Sequence, residues 1–258
     1  SHINLDECGA PEFFTGGAKL ITIDGFNGKF SAEDLRKNIR GEGVVHNTQP
    51  STVSITQSCE TGVVYKIDEI EKITEIAKKN NMKVHMDGAR FSNAVVSLKK
   101  TPAEITWKSG IDVLTFGGTK NGCLDAEAII FFNSEDIKNF KYLQKRSGQL
   151  LSKMRFLSAQ LDAYISNNLW YKNAKNSNKM AKILSTKLSR LNSIEITYPT
   201  ESNEVFVKIP KSIQDHLSKK GYYAVPDETF DGSVRFVSAW NTTEKDIDKL
   251  VKTIREKL

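Results

Sequence analysis

The chain has 258 residues, 39% of them hydrophobic and 26% charged, which is the balance of a soluble globular protein with room for one large domain and one small one. No apolar run reaches the roughly eighteen residues that a membrane span needs. The net charge is +6, but the lysines are scattered over helix faces without interleaved aromatics. That pattern reads as a solvated surface and argues against a basic RNA-binding module.

The first half alternates between helix and strand patterns. Residues 31–40 read as a short helix, with Ser31 as N-cap and Asp34 three residues on as a weaker, carboxylate version of the capping box. Thr52 to Thr56 alternates as a strand does. Asp68 to Asn80 is an amphipathic helix with Ile70, Ile73, Ile76 and Ala77 on one face. Short strands follow at Lys83 to Met86 and Ile111 to Phe116. A third, Ala128 to Phe132, is expected to be buried on both faces because its run is apolar. Strands alternating with helices predict βαβ units in a mostly parallel sheet, whose ligands lie at the carboxyl ends of the strands.

After Phe132 the texture changes. A long helical pattern rich in Leu, Lys, Ala and Ser runs from Ile137 to about Asn192. Short strands are predicted at Glu195 to Tyr198, Glu204 to Ile209 and Ser233 to Ala239. A helix from Ser212 to Lys220 is closed by Gly221. The last element is an amphipathic helix, Glu244 to Lys257, with Thr243 as N-cap and Ile247, Leu250, Val251 and Ile254 on one face. The expected division is a large α/β domain over 1–150, then a connecting helix and a small α+β domain over 151–258.

Two strand ends carry the chemistry. Asp87 follows one strand in His85-Met86-Asp87-Gly88-Ala89-Arg90, and Lys120 follows the next in Gly117-Gly118-Thr119-Lys120-Asn121-Gly122. This pair is what a pyridoxal phosphate site needs: an amine to form a Schiff base with the cofactor aldehyde, and a carboxylate to keep the pyridine nitrogen protonated. Read singly, Lys120 is a residue of a glycine-rich turn and Asp87 a turn-former before Gly88. Thr119 would bond a phosphate oxygen or cap the turn. Ala89 is small enough to pack beneath a flat ring. Arg90 would fork onto a carboxylate or form a surface ion pair. Arg235 interrupts the apolar strand Val234-Arg235-Phe236-Val237, so it must face solvent or a buried anion such as a substrate α-carboxylate. His2 and His46 are candidates for stacking on a ring or moving a proton, and His85 reads as core or as support for Asp87. The cysteines, Cys8, Cys59 and Cys123, lack metal-ligand spacing and read as free thiols in a reducing cytoplasm.

Taken together, Ser1-His2-Ile3, Glu7-Cys8-Gly9-Ala10, Gln57-Ser58-Cys59-Glu60-Thr61-Gly62, the Asp-Gly-Ala-Arg and Gly-Gly-Thr-Lys-Asn-Gly motifs and Val234-Arg235-Phe236-Val237 resemble the low-specificity L-threonine aldolases. These are β-eliminating lyases of the aspartate-aminotransferase fold (PLP fold type I). The resemblance runs in order from His2 to the last helix. It implies a pyridoxal-phosphate-dependent lyase that cleaves a β-hydroxy-α-amino acid, threonine or allo-threonine, to glycine and an aldehyde. Lys120 would bind the cofactor covalently, Asp87 would face the pyridine nitrogen, His2 would stack on the ring, and His46 would lie near the substrate hydroxyl. Arg90 and Arg235 would hold cofactor-side and substrate carboxylate oxygens, and Lys145-Arg146-Ser147-Gly148 matches a family segment near the site. The family's sites lie between subunits, which implies a homodimer or homotetramer.

One departure stands out. Family members carry roughly eighty residues before the stacking His, including a Gly-Thr turn whose helix N-terminus binds the cofactor phosphate. The chain therefore reads as a fragment or an incomplete gene product and is expected to hold the cofactor weakly. The competing readings are another pyridoxal phosphate lyase of the same fold and a non-catalytic relative.

Overall fold

A computed structural model describes residues 1–258, in which each of two four-stranded sheets gathers its own apolar core. The chain opens with two short helices, α1 (His2–Leu5) and α2 (Ala10–Phe14), then α3 (Ala32–Asn38). The capping box predicted for α3 is complete: the Asp34 N–H donates to Ser31 Oγ, and the Ser31 N–H donates to the Asp34 carboxylate.

The first sheet alternates strand and helix. It comprises β1 (Thr52–Thr56), α4 (Ile67–Lys79), β2 (Lys83–Gly88), α5 (Phe91–Leu98), the short α6 (Pro102–Ile105), β3 (Val113–Gly117) and β4 (Glu127–Phe131). The spatial order is β1-β2-β3-β4, with the first three strands parallel and β4 antiparallel to β3. Side chains alternate across a strand. Val53, Ile55, Val84, Met86, Leu114 and Phe116 therefore fill the core with Ile70, Ile73 and Ala77 of α4. Ser54, Thr56, His85, Asp87 and Thr115 share the opposite face. Parallel pairing brings Thr56 opposite Asp87 and Asp87 opposite Thr115, so three carboxyl ends stand side by side.

One expectation fails here. The strand predicted at Ala128 to Phe132 is not buried on both faces: Ile129 is 46% exposed and Ile130 36%. It pairs with β3 alone, on the sheet's edge. An apolar run reports what a strand can bury, not whether a neighbour is there to cover it.

The long helical stretch is also broken up. α7 (Phe140–Arg146) precedes α8 (Arg155–Ile165), and α9 (Leu169–Leu188) follows after a kink in which Asn167 and Asn168 take positive φ angles of 54° and 55°. Asn tolerates that region better than most residues, so the turn needs no glycine. α9 packs on α5 and then supplies Met180, Ala181, Leu184 and Leu188 to the second core.

The second sheet is antiparallel, in the order β5-β6-β8-β7: β5 (Glu195–Ile196), β6 (Glu204–Lys208), β7 (Pro226–Asp227) and β8 (Ser233–Val237). Helix α10 (Lys211–Lys219) buries Ile213 and Leu217 and is closed by Gly221 at φ 84°. Helix α11 (Glu244–Arg255) buries the four apolar residues predicted for its inner face. The strand β7 escaped sequence reading because two residues carry no periodicity. All three cysteines are unpaired, and no helix is long and apolar enough to cross a membrane.

Candidate active site

Asp87 stands at the end of β2 because the alternation that buries Val84 and Met86 turns Lys83, His85 and Asp87 to the other face. Its Oδ1 accepts the Ala89 N–H at 3.0 Å, which leaves Oδ2 without a protein partner. His85 lies on the same face, with Nδ1 2.9 Å from Ser54 Oγ and Nε2 3.4 Å from Thr115 Oγ1. The ring thus bridges all three parallel strands behind Asp87. Burial depresses its pKa, and the Asp87 charge partly opposes that shift.

Lys120 belongs to a single 3-10 turn, Thr119–Asn121, just beyond β3. The turn is held from both sides. Gly118 N–H donates to Ala126 O at 3.0 Å, and Thr119 Oγ1 accepts the Ala126 N–H at 3.1 Å. On the inner side Asn121 is buried. Its Nδ2 donates to Tyr164 Oη at 2.6 Å and to Trp170 O at 2.8 Å, and its carbonyl accepts from Asn173 Nδ2 at 2.9 Å. Sequence reading names Asn121 in the Lys120 motif without a role and passes over Tyr164 and Asn173. Their only signal is polarity at helix positions that face inward, which cannot be seen before the packing is known.

The Lys120 amine makes no hydrogen bond or ion pair. Its side chain is accessible, yet enough protein surrounds the amine to desolvate it in part, and this burial is the main cause of a pKa held below the ordinary lysine value. The neighbouring Arg90 guanidinium pushes the same way, while the charges of Asp87, Glu204 and Glu127 push back. Arg90 N-caps α5 and lies 2.9 Å from Glu204 Oε1, and Arg235 on β8 lies 3.5 Å from the same oxygen. Glu204 at the start of β6 is fully buried. Burial raises its pKa, against the opposing pull of Arg90, Arg235 and Lys120. The carboxylate is read as ionised because two guanidiniums that cannot give up their protons face it, and a neutral acid there would leave both buried-side charges uncompensated. So Arg235 is neither a purely solvent-facing charge nor unpaired: the anion beside it is one of the chain's own. Glu204 was missed as a site residue. The sequence shows only an acidic residue opening the apolar run Glu204-Val205-Phe206-Val207; that its strand pairs with the one carrying Arg235 is a tertiary fact.

His2 begins α1, and its backbone N–H donates to Glu60 Oε1 at 2.9 Å. That oxygen also accepts from Thr56 Oγ1 at 3.1 Å, and Thr56 is the register partner of Asp87. His2 is therefore tethered to the same strand ends as Asp87, with its Nδ1 3.2 Å from Glu7 Oε1. His46 has no such tether. It lies exposed in the loop before β1, with no hydrogen bond or ion pair. Ala89 packs on Gly117. The segment Lys145 to Gly148 ends α7, with both of its basic residues exposed.

These residues suit a pyridoxal cofactor. They offer an unpaired, partly desolvated amine and a carboxylate with one free oxygen, on adjacent strand ends that Gly88, Gly117 and Gly118 let pack closely together. No group of three or more His, Cys, Asp or Glu is arranged to hold a metal ion.

Comparison with known proteins agrees with the architecture. A family model described as Beta-eliminating lyase matches residues 1–212. The chain is 42% identical over 257 residues to a low specificity L-threonine aldolase of Pseudomonas sp., covering 99% of this chain and 73% of that protein. It is 38% identical, with the same coverage, to the protein of that name in Pseudomonas aeruginosa. Among solved structures, the threonine aldolase of Leishmania major superposes with a TM-score of 0.89 at 28% identity, over 99% of this chain and 75% of that one. A putative aromatic amino acid beta-eliminating lyase/threonine aldolase from Exiguobacterium sp. shares the fold at a TM-score of 0.77 and 16% identity.

Proposed function

Since the chain belongs to the β-eliminating lyase family, we propose that it is a pyridoxal-phosphate-dependent carbon–carbon lyase, cleaving a β-hydroxy-α-amino acid such as L-threonine or L-allo-threonine to glycine and an aldehyde. The observation that carries this reading is the free Lys120 amine, depressed in pKa, within electrostatic reach of the Asp87 carboxylate. When bound, the cofactor would supply the electron sink that lets the Cα–Cβ bond break.

The remaining work falls to the chain's own groups. Lys120 would hold the cofactor covalently, and its lowered pKa leaves more of the amine in the nucleophilic, neutral form. Asp87 would use its free Oδ2 to keep a proton on the pyridine nitrogen. Ala89, Thr119 and Arg90 would line the cofactor; the Thr119 hydroxyl accepts from Ala126 but can still donate. Arg235, with Arg90 beside it, would take the substrate α-carboxylate and so fix which bond at Cα stands ready to break. His2, held at the strand ends through Glu60, would flank the ring. His2 or His46 would accept the β-hydroxyl proton, and the Glu60 tether favours His2.

Residues 1–150 would form the cofactor-binding part and residues 151–258 the helical connection and small domain. The exposed Phe13–Phe14 pair on α2 leaves apolar surface for a contact between subunits, as a homodimer or homotetramer would make. The test is product analysis with pyridoxal phosphate and L-threonine or L-allo-threonine. Acetaldehyde and glycine in equal amounts support the reading. A keto acid with ammonia would move it to another lyase of the fold, and no turnover of either isomer would remove it.

A further inference from the structure

We infer that Glu204 is a positioning residue for substrate: it fixes Arg90 and Arg235 so that their remaining N–H groups are presented together to the α-carboxylate. The inference deepens the lyase reading and rests on it.

Three cations, those of Arg90, Arg235 and Lys120, act on one buried carboxylate. Glu204 is itself held in place. The preceding Glu201 accepts the Val64 N–H at 2.9 Å and pairs with Lys66 at 3.2 Å. A Cβ on Gly62 would come within 3.1 Å of Ser202 Oγ and 3.3 Å of Glu204 Cβ, so the two segments lie in close contact. The start of β6 is thereby seated on the loop after β1, next to the sheet that carries Asp87 and Arg90. From this seat one oxygen of Glu204 reaches an arginine from each half of the chain.

The hydrogen bonding is incomplete. Although Arg90 comes within 2.9 Å, neither oxygen of Glu204 has an aligned hydrogen bond, and Arg90 Nε has no partner at all. Buried polar groups are nearly always satisfied. Here Arg90 is turned to Glu204 by charge, while the exposed guanidinium donors of Arg235 are left unspent, as a site for a second carboxylate requires. The Arg235 side chain is 43% exposed, against none for Glu204, so a ligand can approach Arg235 from its open side while Glu204 backs it. No substrate atom needs to touch Glu204.

The experiment is calorimetric titration of the cofactor-loaded protein with glycine and with glycinamide, which lacks the carboxylate, alongside steady-state cleavage of threonine. Glu204→Gln removes the charge at constant shape. It should weaken glycine binding and raise KM about tenfold, about 1.4 kcal/mol, with kcat within about threefold, glycinamide binding unchanged and the cofactor absorbance retained. Should that variant fail to fold, Glu204→Asp keeps the charge and shortens its reach; it should weaken glycine about threefold and spare glycinamide. Unchanged glycine affinity, or an equal loss for glycine and glycinamide, overturns the inference. Wild-type protein that binds neither ligand and releases no aldehyde overturns the lyase reading itself, and the inference with it.

Discussion

Gly117 lies directly against Ala89: a Cβ on Gly117 would stand 2.6 Å from the Ala89 carbonyl oxygen and 2.9 Å from its Cα. The contact joins the end of β3 to the turn after β2, so it sets the distance between the segment carrying Lys120 and the one carrying Asp87. The obstacle is backbone and cannot rotate away. Gly117→Ala should destabilise the fold by about 1–3 kcal/mol and reduce cofactor uptake by more than the lost stability explains. Thermal melting with a cofactor absorbance titration measures both; unaltered uptake would separate the contact from the site.

Lys120→Ala should abolish covalent retention of the cofactor and all cleavage. It should do so without lowering the melting temperature, because the ammonium is partly desolvated and repelled by Arg90. A lysine whose folded pKa lies below its unfolded one opposes folding at neutral pH, and the penalty fades only as pH rises through the folded value. Reduction with borohydride and differential scanning calorimetry check the two halves. Retained turnover would refute the role given to this lysine.

Asp87→Asn keeps the shape and the contact with the Ala89 N–H but loses the charge. Cleavage should fall roughly 100-fold or more, with cofactor binding weakened less, since the carboxylate acts chiefly on charge that develops during reaction. Separate kcat and cofactor affinity values decide it. A loss confined to affinity would make Asp87 a binding residue only.

His85 gives the fold a dependence on acid. Its folded pKa lies below its ordinary value of 6.5 because it is largely desolvated between Ser54 and Thr115, although part of the ring stays accessible. The unfolded chain therefore takes up more protons as pH falls below 6.5, and stability drops there while staying level above. His85→Gln should lessen the fall in melting temperature below pH 6.5. Identical pH profiles for variant and wild type would show that His85 does not titrate in this way.

Much of the architecture was legible in the sequence because it rests on local periodicity. The Ile70-Ile73-Ile76-Ala77 face, the capping box at Ser31, the N-cap at Thr243 and the short strand that ends beside Asp87 are all nearest-neighbour patterns. The motifs around Asp87 and Lys120 could be read for the same reason, each being contiguous. The edge position of β4 and the kink at Asn167–Asn168 could not, since one depends on what lies beside a strand and the other on where two helices must pack.

The residue types at the site, and their assignment to strand ends, were set by the chain's order. Only tertiary packing decided that Glu204, distant in sequence from Arg90, would close on it, and that Tyr164 and Asn173 would hold Asn121 beside Lys120. A buried charge leaves no periodic trace. Its partner is chosen where two sheets distant in sequence meet, and the cost of leaving either charge alone in a low-dielectric interior is what keeps them together.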